Sequence, residues 1–172
     1  NKPGAIKIVG AHDALSARLI ERAGFDGIWA SGFAISASMK CIPDASFIDS
    51  SEQLAIERNI VEAVSIPVIA DCDTGYGNAL NVMRTVNDRE RAGVAGICIE
   101  DNVYPKRCSF YAGVRRELIP IEEHCSKIKA AKAAQIFPEF VVIARTEALI
   151  AGWGQEEALQ RAEAYAEAGA DA

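Results

Sequence analysis

Short apolar runs alternate along the chain with longer stretches in which apolar residues recur every three or four positions. A strand covered on both faces reads as a nearly continuous apolar run, whereas a helix lying on a sheet shows one apolar stripe. On that pattern, strands are predicted over residues 6–10, 27–30, 67–70, 96–99 and 140–144. Helices are predicted over 13–23, 50–64, 80–92, 121–134 and 155–168. Leu15, Leu19 and Ile20 stripe the first helix, and Ser50, Ser51 and Glu52 supply a polar start to the second. Gly24, Gly93 and Gly169 act as helix stops. Around them one phrase recurs, as Glu-Arg-Ala-Gly-Phe-Asp-Gly, Glu-Arg-Ala-Gly-Val-Ala-Gly and Ala-Glu-Ala-Gly-Ala-Asp-Ala. Each copy is a helix end, a glycine and the entry to a buried strand. The intervals are irregular, so the phrase marks repeated strand–helix units rather than a solenoid.

Strand–helix alternation specifies a parallel sheet, either doubly wound or closed as a (β/α)8 TIM-type barrel. The first strand–helix turn, Gly10-Ala11-His12-Asp13, lacks the glycine pattern of dinucleotide sites, and no Walker motif occurs. Polar clusters follow the second to fifth strands, which favours a barrel with a site spread over its C-terminal face. A barrel needs roughly 250 residues. The 172 residues are therefore expected to cover about the first five βα units of a single catalytic barrel domain, 1–172, incomplete at its C-terminus. A five-stranded open sheet is the weaker alternative.

Composition narrows the function. Half of the residues are apolar and 24% are charged, ordinary for a globular chain. A net charge of −6 with no basic face argues against nucleic acid and leaves a small anionic substrate open. No apolar run approaches the ~20 residues of a membrane span, and no signal pattern opens the chain, so a cytoplasmic protein is expected. The five cysteines form no C-x-x-C pair, which weakens both a zinc site and a disulfide framework.

Candidate chemistry gathers at strand ends. In Asp71-Cys72-Asp73-Thr74-Gly75-Tyr76-Gly77, two carboxylates follow an apolar strand, and alternate residues of extended chain point the same way. The bland alternative is a pair of aspartates capping the next helix. Glu100-Asp101 repeats the pattern one strand later, and three acids at adjacent strand ends suit Mg²⁺ or Mn²⁺ rather than zinc. Residues 102–118 form a long connection holding Lys106, Arg107, Arg115 and Arg116, which suits a lid over an anionic substrate. Cys108 within it is either an acid, base or nucleophile, or an inert thiol. Arg145 ends the fifth strand, where it clamps a substrate anion or pairs within the barrel mouth, and Glu147 follows. Trp29-Ala30-Ser31-Gly32 offers backbone N–H groups and a hydroxyl to an anionic oxygen, or is merely a turn. His12 reads as structural, while Tyr76 and Trp153 either line a pocket or pack.

The run Asp71-Cys72-Asp73-Thr74-Gly75-Tyr76-Gly77, together with Glu100-Asp101-Asn102-Val103-Tyr104-Pro105-Lys106 and Ala144-Arg145-Thr146-Glu147-Ala148, resembles the phosphoenolpyruvate mutase/isocitrate lyase superfamily, and the similarity runs over nearly the whole chain. The resemblance implies an α/β barrel, a homo-oligomer (dimer or tetramer), Mg²⁺, and a small 2-oxo acid or its enolate at the barrel mouth. It implies Asp71 as the direct metal ligand, with Asp73 and Glu100 acting through metal-bound water. It assigns Trp29, Ser31 and Gly32 to the pyruvyl unit, Arg145 to gripping the substrate, Asp44 to the reacting phosphoryl group, and Lys106 to a gating loop, 102–118. Arg145-Thr146-Glu147 looks like the phosphonate branch, since lyases usually carry Arg-Thr-Asp there. In Pro105-Lys106-Arg107-Cys108-Ser109, a lyase-like Cys108 stands beside a phosphonate-branch Ser109. Both join the catalytic candidates. The expectation is a phosphoenolpyruvate mutase-like isomerase, with a phosphonopyruvate hydrolase, an isocitrate or 2-methylisocitrate type of carbon–carbon lyase, or an inactive fragment or binding module as alternatives.

Overall fold

A computed structural model describes residues 4–108 and 116–172. Among these residues five strands and six helices alternate, with one extra helix inserted: β1 (Ile8–Ala11), α1 (Ala14–Arg22), β2 (Gly27–Ala30), α2 (Gly32–Lys40), α3 (Ser50–Ala63), β3 (Val68–Asp71), α4 (Ala79–Arg91), β4 (Gly96–Glu100), α5 (Ile121–Ala134), β5 (Val141–Arg145) and α6 (Gln155–Glu167). The strands are parallel and lie in sequence order, β1-β2-β3-β4-β5. A doubly wound sheet reverses its order at a switch point. No reversal occurs among these strands, so right-handed crossovers deliver the helices to a single face.

Side-chain alternation along the strands follows from that arrangement. Ala11, Ile28, Ala30, Val68, Ala70, Ile97, Ile99 and Val142 face the helices and pack with Ala17, Ile35, Ile60, Val82, Val86, Ile128 and Tyr165 in two buried clusters. Among the described residues no helix covers the other face. At its lower end Ile8, Ile69, Val141 and Ile143 line an apolar cavity of about 490 Å³. At its upper end, where the strands finish, that face turns polar with Asp71, Glu100 and Arg145. Glu100 sits directly across from Arg145 in the β4–β5 register. Beside β5, the Asp171 N–H donates to the Val142 carbonyl and the Ala144 N–H to the Ala172 carbonyl, both at 2.9 Å.

The predicted elements are all present, with ends moved by at most two residues. Two local expectations are corrected. Trp29-Ala30-Ser31-Gly32 is not simply a turn: Ser31 caps α2, its hydroxyl accepting the Ala34 N–H at 3.3 Å. This helix escaped the periodicity because its apolar residues form no single buried stripe: Ile35 is buried, while Phe33 and Met39 are exposed. The start of α3 is set by Asp49 rather than by the serines. Its carboxylate accepts the Ser51 and Glu52 N–H groups at 2.7 and 2.9 Å, and Glu52 returns the bond to the Asp49 N–H.

Candidate active site

The β3 strand ends on Asp71, and the chain then turns sharply. Asp73 has φ +50, in the left-handed region, so the two carboxylates do not converge by alternation along extended chain as the sequence suggested. They converge because the backbone folds back, letting the Asp73 N–H donate to Asp71 Oδ1 at 3.3 Å. Gly75 makes the turn possible. It has φ +86, and a Cβ there would meet Val82 Cγ2 at 2.4 Å. The helix that follows is capped by Asn78, whose side chain accepts the Leu80 N–H at 2.9 Å. Asp71 and Asp73 are therefore not its caps, and the bland alternative falls.

Side chains from the helical layer hold this turn from behind. Gln53 Nε2 donates to the Asp71 carbonyl at 2.9 Å, and buried Lys127 donates to the Thr74 carbonyl at 3.1 Å. Arg89 and Glu57, both fully buried, pair beneath the turn at 3.1 Å, with Arg89 also reaching the Tyr76 hydroxyl at 3.3 Å. Tyr76 thus packs rather than lining the main cavity. Trp153 likewise packs, donating Nε1–H to the Arg116 carbonyl at 2.7 Å.

Above the polar strand ends lies a cavity of about 530 Å³, lined by Trp29, Ser31, Phe33, Asp44, Asp71, Glu100, Lys106, Cys108, Arg145 and Ile150. Eight of the residues singled out in the sequence share it. Gly32 lies against it, its N–H donating to Asp71 Oδ2 at 3.3 Å, and a Cβ at Gly32 would stand 3.3 Å from that same oxygen. The Gly32 N–H is therefore spent on Asp71 rather than offered to an anion. Asp73 adjoins the wall through Lys106, whose ammonium bridges Asp73 Oδ1 at 2.6 Å and Asp44 Oδ2 at 2.9 Å. Cys108 is buried, at 4% exposure, while Ser109 and Arg115 lie outside the described residues.

Arg145 is aimed by its neighbours. Its guanidinium meets Glu147 Oε1 at 2.5 Å and approaches Glu100 Oε2 at 3.8 Å. Glu147 is fixed in turn by Asp101, which accepts its backbone N–H at 2.8 Å. Asp101 points away from the cavity, taking further bonds from Thr146, Arg161 and Tyr165 at 2.9, 3.2 and 2.7 Å. Of the Glu100-Asp101 pair, then, only Glu100 serves the cavity.

Electrostatically the site is an acidic basin. Burial pushes the carboxyls of Asp44 and Asp73 above the usual range and that of Glu100 up to about 7. Burial also works against the Lys106 ammonium, but Asp71, Asp73, Glu100 and Asp44 outweigh it and hold its pKa above the ordinary lysine value. Asp71, at 8% exposure, receives two backbone N–H groups at 3.3 Å and pairs with no cation among the described residues. A buried carboxylate so thinly satisfied, flanked by other hard oxygen donors, fits a divalent cation of the Mg²⁺ kind. No three His, Cys, Asp or Glu side chains among the described residues stand close enough to bind one ion directly. Mg²⁺ keeps several of its waters and needs only one or two carboxylates.

Sequence reasoning passed over several residues of this site. Phe33 and Ile150 add apolar wall, Ser46 donates its hydroxyl to Asp73 Oδ2 at 3.0 Å, and Gln53 holds Asp71 from α3. Polar residues on the buried side of a helix (Gln53 and Glu57, four apart) were the one available signal; Ser46 carried none.

Parallel strands with an acidic, metal-suited basin at their C-terminal ends define an α/β protein whose candidate site lies where the strands finish. The chain belongs to the phosphoenolpyruvate phosphomutase family, matching it over residues 1–172. It is 54% identical over 162 residues to phosphonopyruvate hydrolase of Variovorax sp. (strain Pal2), covering 94% of this chain and 56% of that protein. It is 49% identical over 162 residues to 2,3-dimethylmalate lyase of Eubacterium barkeri, covering 94% and 55%. The crystal structure of phosphoenolpyruvate phosphomutase from Streptomyces platensis subsp. rosaceus superimposes with a TM-score of 0.96 at 56% identity, covering 99% of this chain and 59% of that one. A phosphonopyruvate hydrolase crystallised with oxalate and Mg²⁺ gives a TM-score of 0.87 at 51% identity, covering 95% and 55%. The chain spans about half the length of the curated relatives it matches.

Proposed function

We propose that the chain forms the substrate- and metal-binding part of a Mg²⁺-dependent enzyme that interconverts phosphoenolpyruvate and phosphonopyruvate. The observation carrying this is the shared cavity, in which the carboxylates of Asp44, Asp71 and Glu100 face the cations of Lys106 and Arg145. Support for the metal comes from the donor set and from the relative crystallised with Mg²⁺ and oxalate, a two-carbon dicarboxylate. We take the five strands as the first five staves of a (β/α)8 barrel. Their sequential order and helix-free apolar inner face support it.

Mg²⁺ would be held by Asp71 directly and by Asp73 and Glu100 through water, and when bound it supplies Lewis acidity to the pyruvyl oxygen and its enolate. Trp29 and Ser31 orient the pyruvyl unit over the inner face, while Gly32 holds the Asp71 carboxylate through its N–H. Arg145, aimed by Glu147, grips the substrate anion. Asp44 and Lys106 flank the phosphoryl group as it passes between the enol oxygen and C3, and burial of the site excludes water that would otherwise intercept it. Ser109 completes the set from the sequence. A homo-oligomer, dimer or tetramer, in the cytoplasm is the state we assign to the working enzyme.

Two other reactions have support. The 54% identical relative named a hydrolase favours transfer of the phosphoryl group to water. The buried Cys108 in the cavity wall favours a carbon–carbon lyase, in which a thiol protonates the released carbanion. Phosphorus NMR on phosphonopyruvate with Mg²⁺, using the full-length protein, separates them. Phosphoenolpyruvate is expected, free phosphate would mean the hydrolase, and an unchanged spectrum with pyruvate or glyoxylate released from a branched 2-hydroxy acid would sink the phosphonate assignment. Asp71→Ala is the control and should lose the Mg²⁺-dependent turnover.

A further inference from the structure

Ser46 sits between α2 and α3, half-buried and two residues past Asp44. Its φ is +57, in the left-handed region, which a non-glycine residue enters only against steric strain. Serine has no special tolerance for that conformation, so the surrounding contacts must hold it there. The hydroxyl makes two of them. It donates to Asp73 Oδ2 at 3.0 Å and accepts the backbone N–H of Lys106 at 3.1 Å. Asp73, its partner, is itself left-handed at φ +50. Two backbone positions in an unfavourable conformation are thus joined through one hydroxyl.

The same hydroxyl closes a ring. Lys106 is bound to Ser46 through its backbone and to Asp73 and Asp44 through its ammonium at 2.6 and 2.9 Å. Asp44 leads back to Ser46 through the chain. Every link therefore runs between residues 44–46, the turn after β3, and the segment carrying Lys106 and Cys108. Lys106 by itself can pivot on its long stem, but a backbone N–H cannot. The Ser46 bond is what fixes the segment's main chain, and with it the buried Cys108 two residues later.

We propose that Ser46 is a positioning residue: its hydroxyl docks the backbone at Lys106 onto Asp73 and so sets Lys106 and Cys108 in the cavity. The term positioning rests on the function proposed above. The docking itself does not, and substrate-free cysteine labelling tests it alone.

Ser46→Gly removes the hydroxyl while relieving the left-handed strain, so the fold is retained. Ser46→Asn restores an acceptor and a donor on a residue that tolerates φ > 0. Full-length protein is treated with N-ethylmaleimide and each cysteine followed by peptide mass spectrometry, with exposed Cys41 as internal reference and buried Cys72 and Cys98 as reporters of global loosening. Loss of a hydrogen bond to a charged group should speed Cys108 labelling about tenfold in Ser46→Gly, with Cys41, Cys72, Cys98 and the melting temperature unmoved. Ser46→Asn should return Cys108 to near its original rate. Parental Cys108 protection in Ser46→Gly, acceleration shared with Cys72 and Cys98, or an asparagine variant labelled as fast as the glycine variant would each overturn the proposal. If the labelling pattern holds but no phosphonopyruvate chemistry is found, the docking stands and only the assigned reaction fails.

Discussion

At the scale of single residues, the site depends on atoms being placed rather than on unusual residue types. Glu100 is an ordinary glutamate whose carboxyl moves up to about 7 because it is buried. Arg145 reaches the cavity at a fixed angle because Glu147, pinned by Asp101, takes its guanidinium. Cys108 is where the residue scale decides the reaction. In phosphoryl transfer the thiol only lines the wall, so Cys108→Ser, which keeps size and polarity, should change kcat/KM by less than about threefold. In carbon–carbon cleavage it would be the proton donor, and the same variant should lose about 10²–10⁴-fold. Steady-state kinetics on phosphonopyruvate and on a 2-substituted malate separate the two, and equal losses on both would contradict that division. The acids and Arg145 were visible in the sequence because strand ends are where such chemistry collects in this fold, and Cys108 because it follows Lys106 and Arg107 in a long basic connection. Ser46 was not, because a serine in a loop announces neither its φ nor its partners.

At the scale of elements, helices do more than cover the sheet. From α3 come Gln53 and Glu57, from α4 Arg89, and from α5 Lys127, all polar residues buried on the sheet-facing side and all supporting the turn after β3. The Arg89–Glu57 pair is the part most exposed to disruption. Arg89 holds Glu57 at 3.1 Å, the Ser50 hydroxyl at 3.0 Å and the face of Tyr76 at 5.1 Å from its centroid. Removing one member of a buried pair strands the other, at a cost of about 3–5 kcal/mol, whereas removing both is often close to neutral. Arg89→Met should therefore lower the urea midpoint sharply, and Arg89→Met with Glu57→Leu should recover most of it. A double variant as unstable as the single would show that the pair acts through Tyr76 and Ser50 instead. Element positions were legible in the sequence for five strands and five helices, since those carry a clean apolar run or stripe. The short α2 was missed for want of such a stripe.

At the scale of the whole molecule, buried titratable groups couple stability to pH in opposing directions. His124 is fully buried on α5, its ring edge-on to Tyr165 at 4.5 Å, and burial lowers its pKa from 6.5 to about 4. Between those values the unfolded chain binds a proton that the folded chain refuses, so this group's contribution is intact above pH 6.5 and is lost as pH falls towards 4. The loss amounts to about 3 kcal/mol at the lower limit. Glu57 and Glu100, each raised to about 7, act the other way: the folded chain keeps their protons longer, and their contribution is lost as pH rises through the range 4.5 to 7. The difference between parent and His124→Phe isolates the histidine. Urea unfolding should show the variant gaining on the parent as pH drops from 7 to 4.5, and a constant difference across that range would refute the assignment.

The amino-acid sequence alone determined the strand–helix alternation, the parallel sheet and the acids, arginine and lysine at the strand ends. Those follow from local periodicity and from where glycines stop helices, and both are written residue by residue. Tertiary structure alone decided three things. Strand order singled out the sequential sheet over the doubly wound one, because periodicity is blind to which strands are neighbours. Long-range bonds sent Asp101 away from the cavity while keeping its neighbour Glu100 in it. And the run at residues 71–77 became a site through a left-handed turn at Asp73, held by Ser46, Lys106 and the helical layer, which no spacing of residues along the chain encodes.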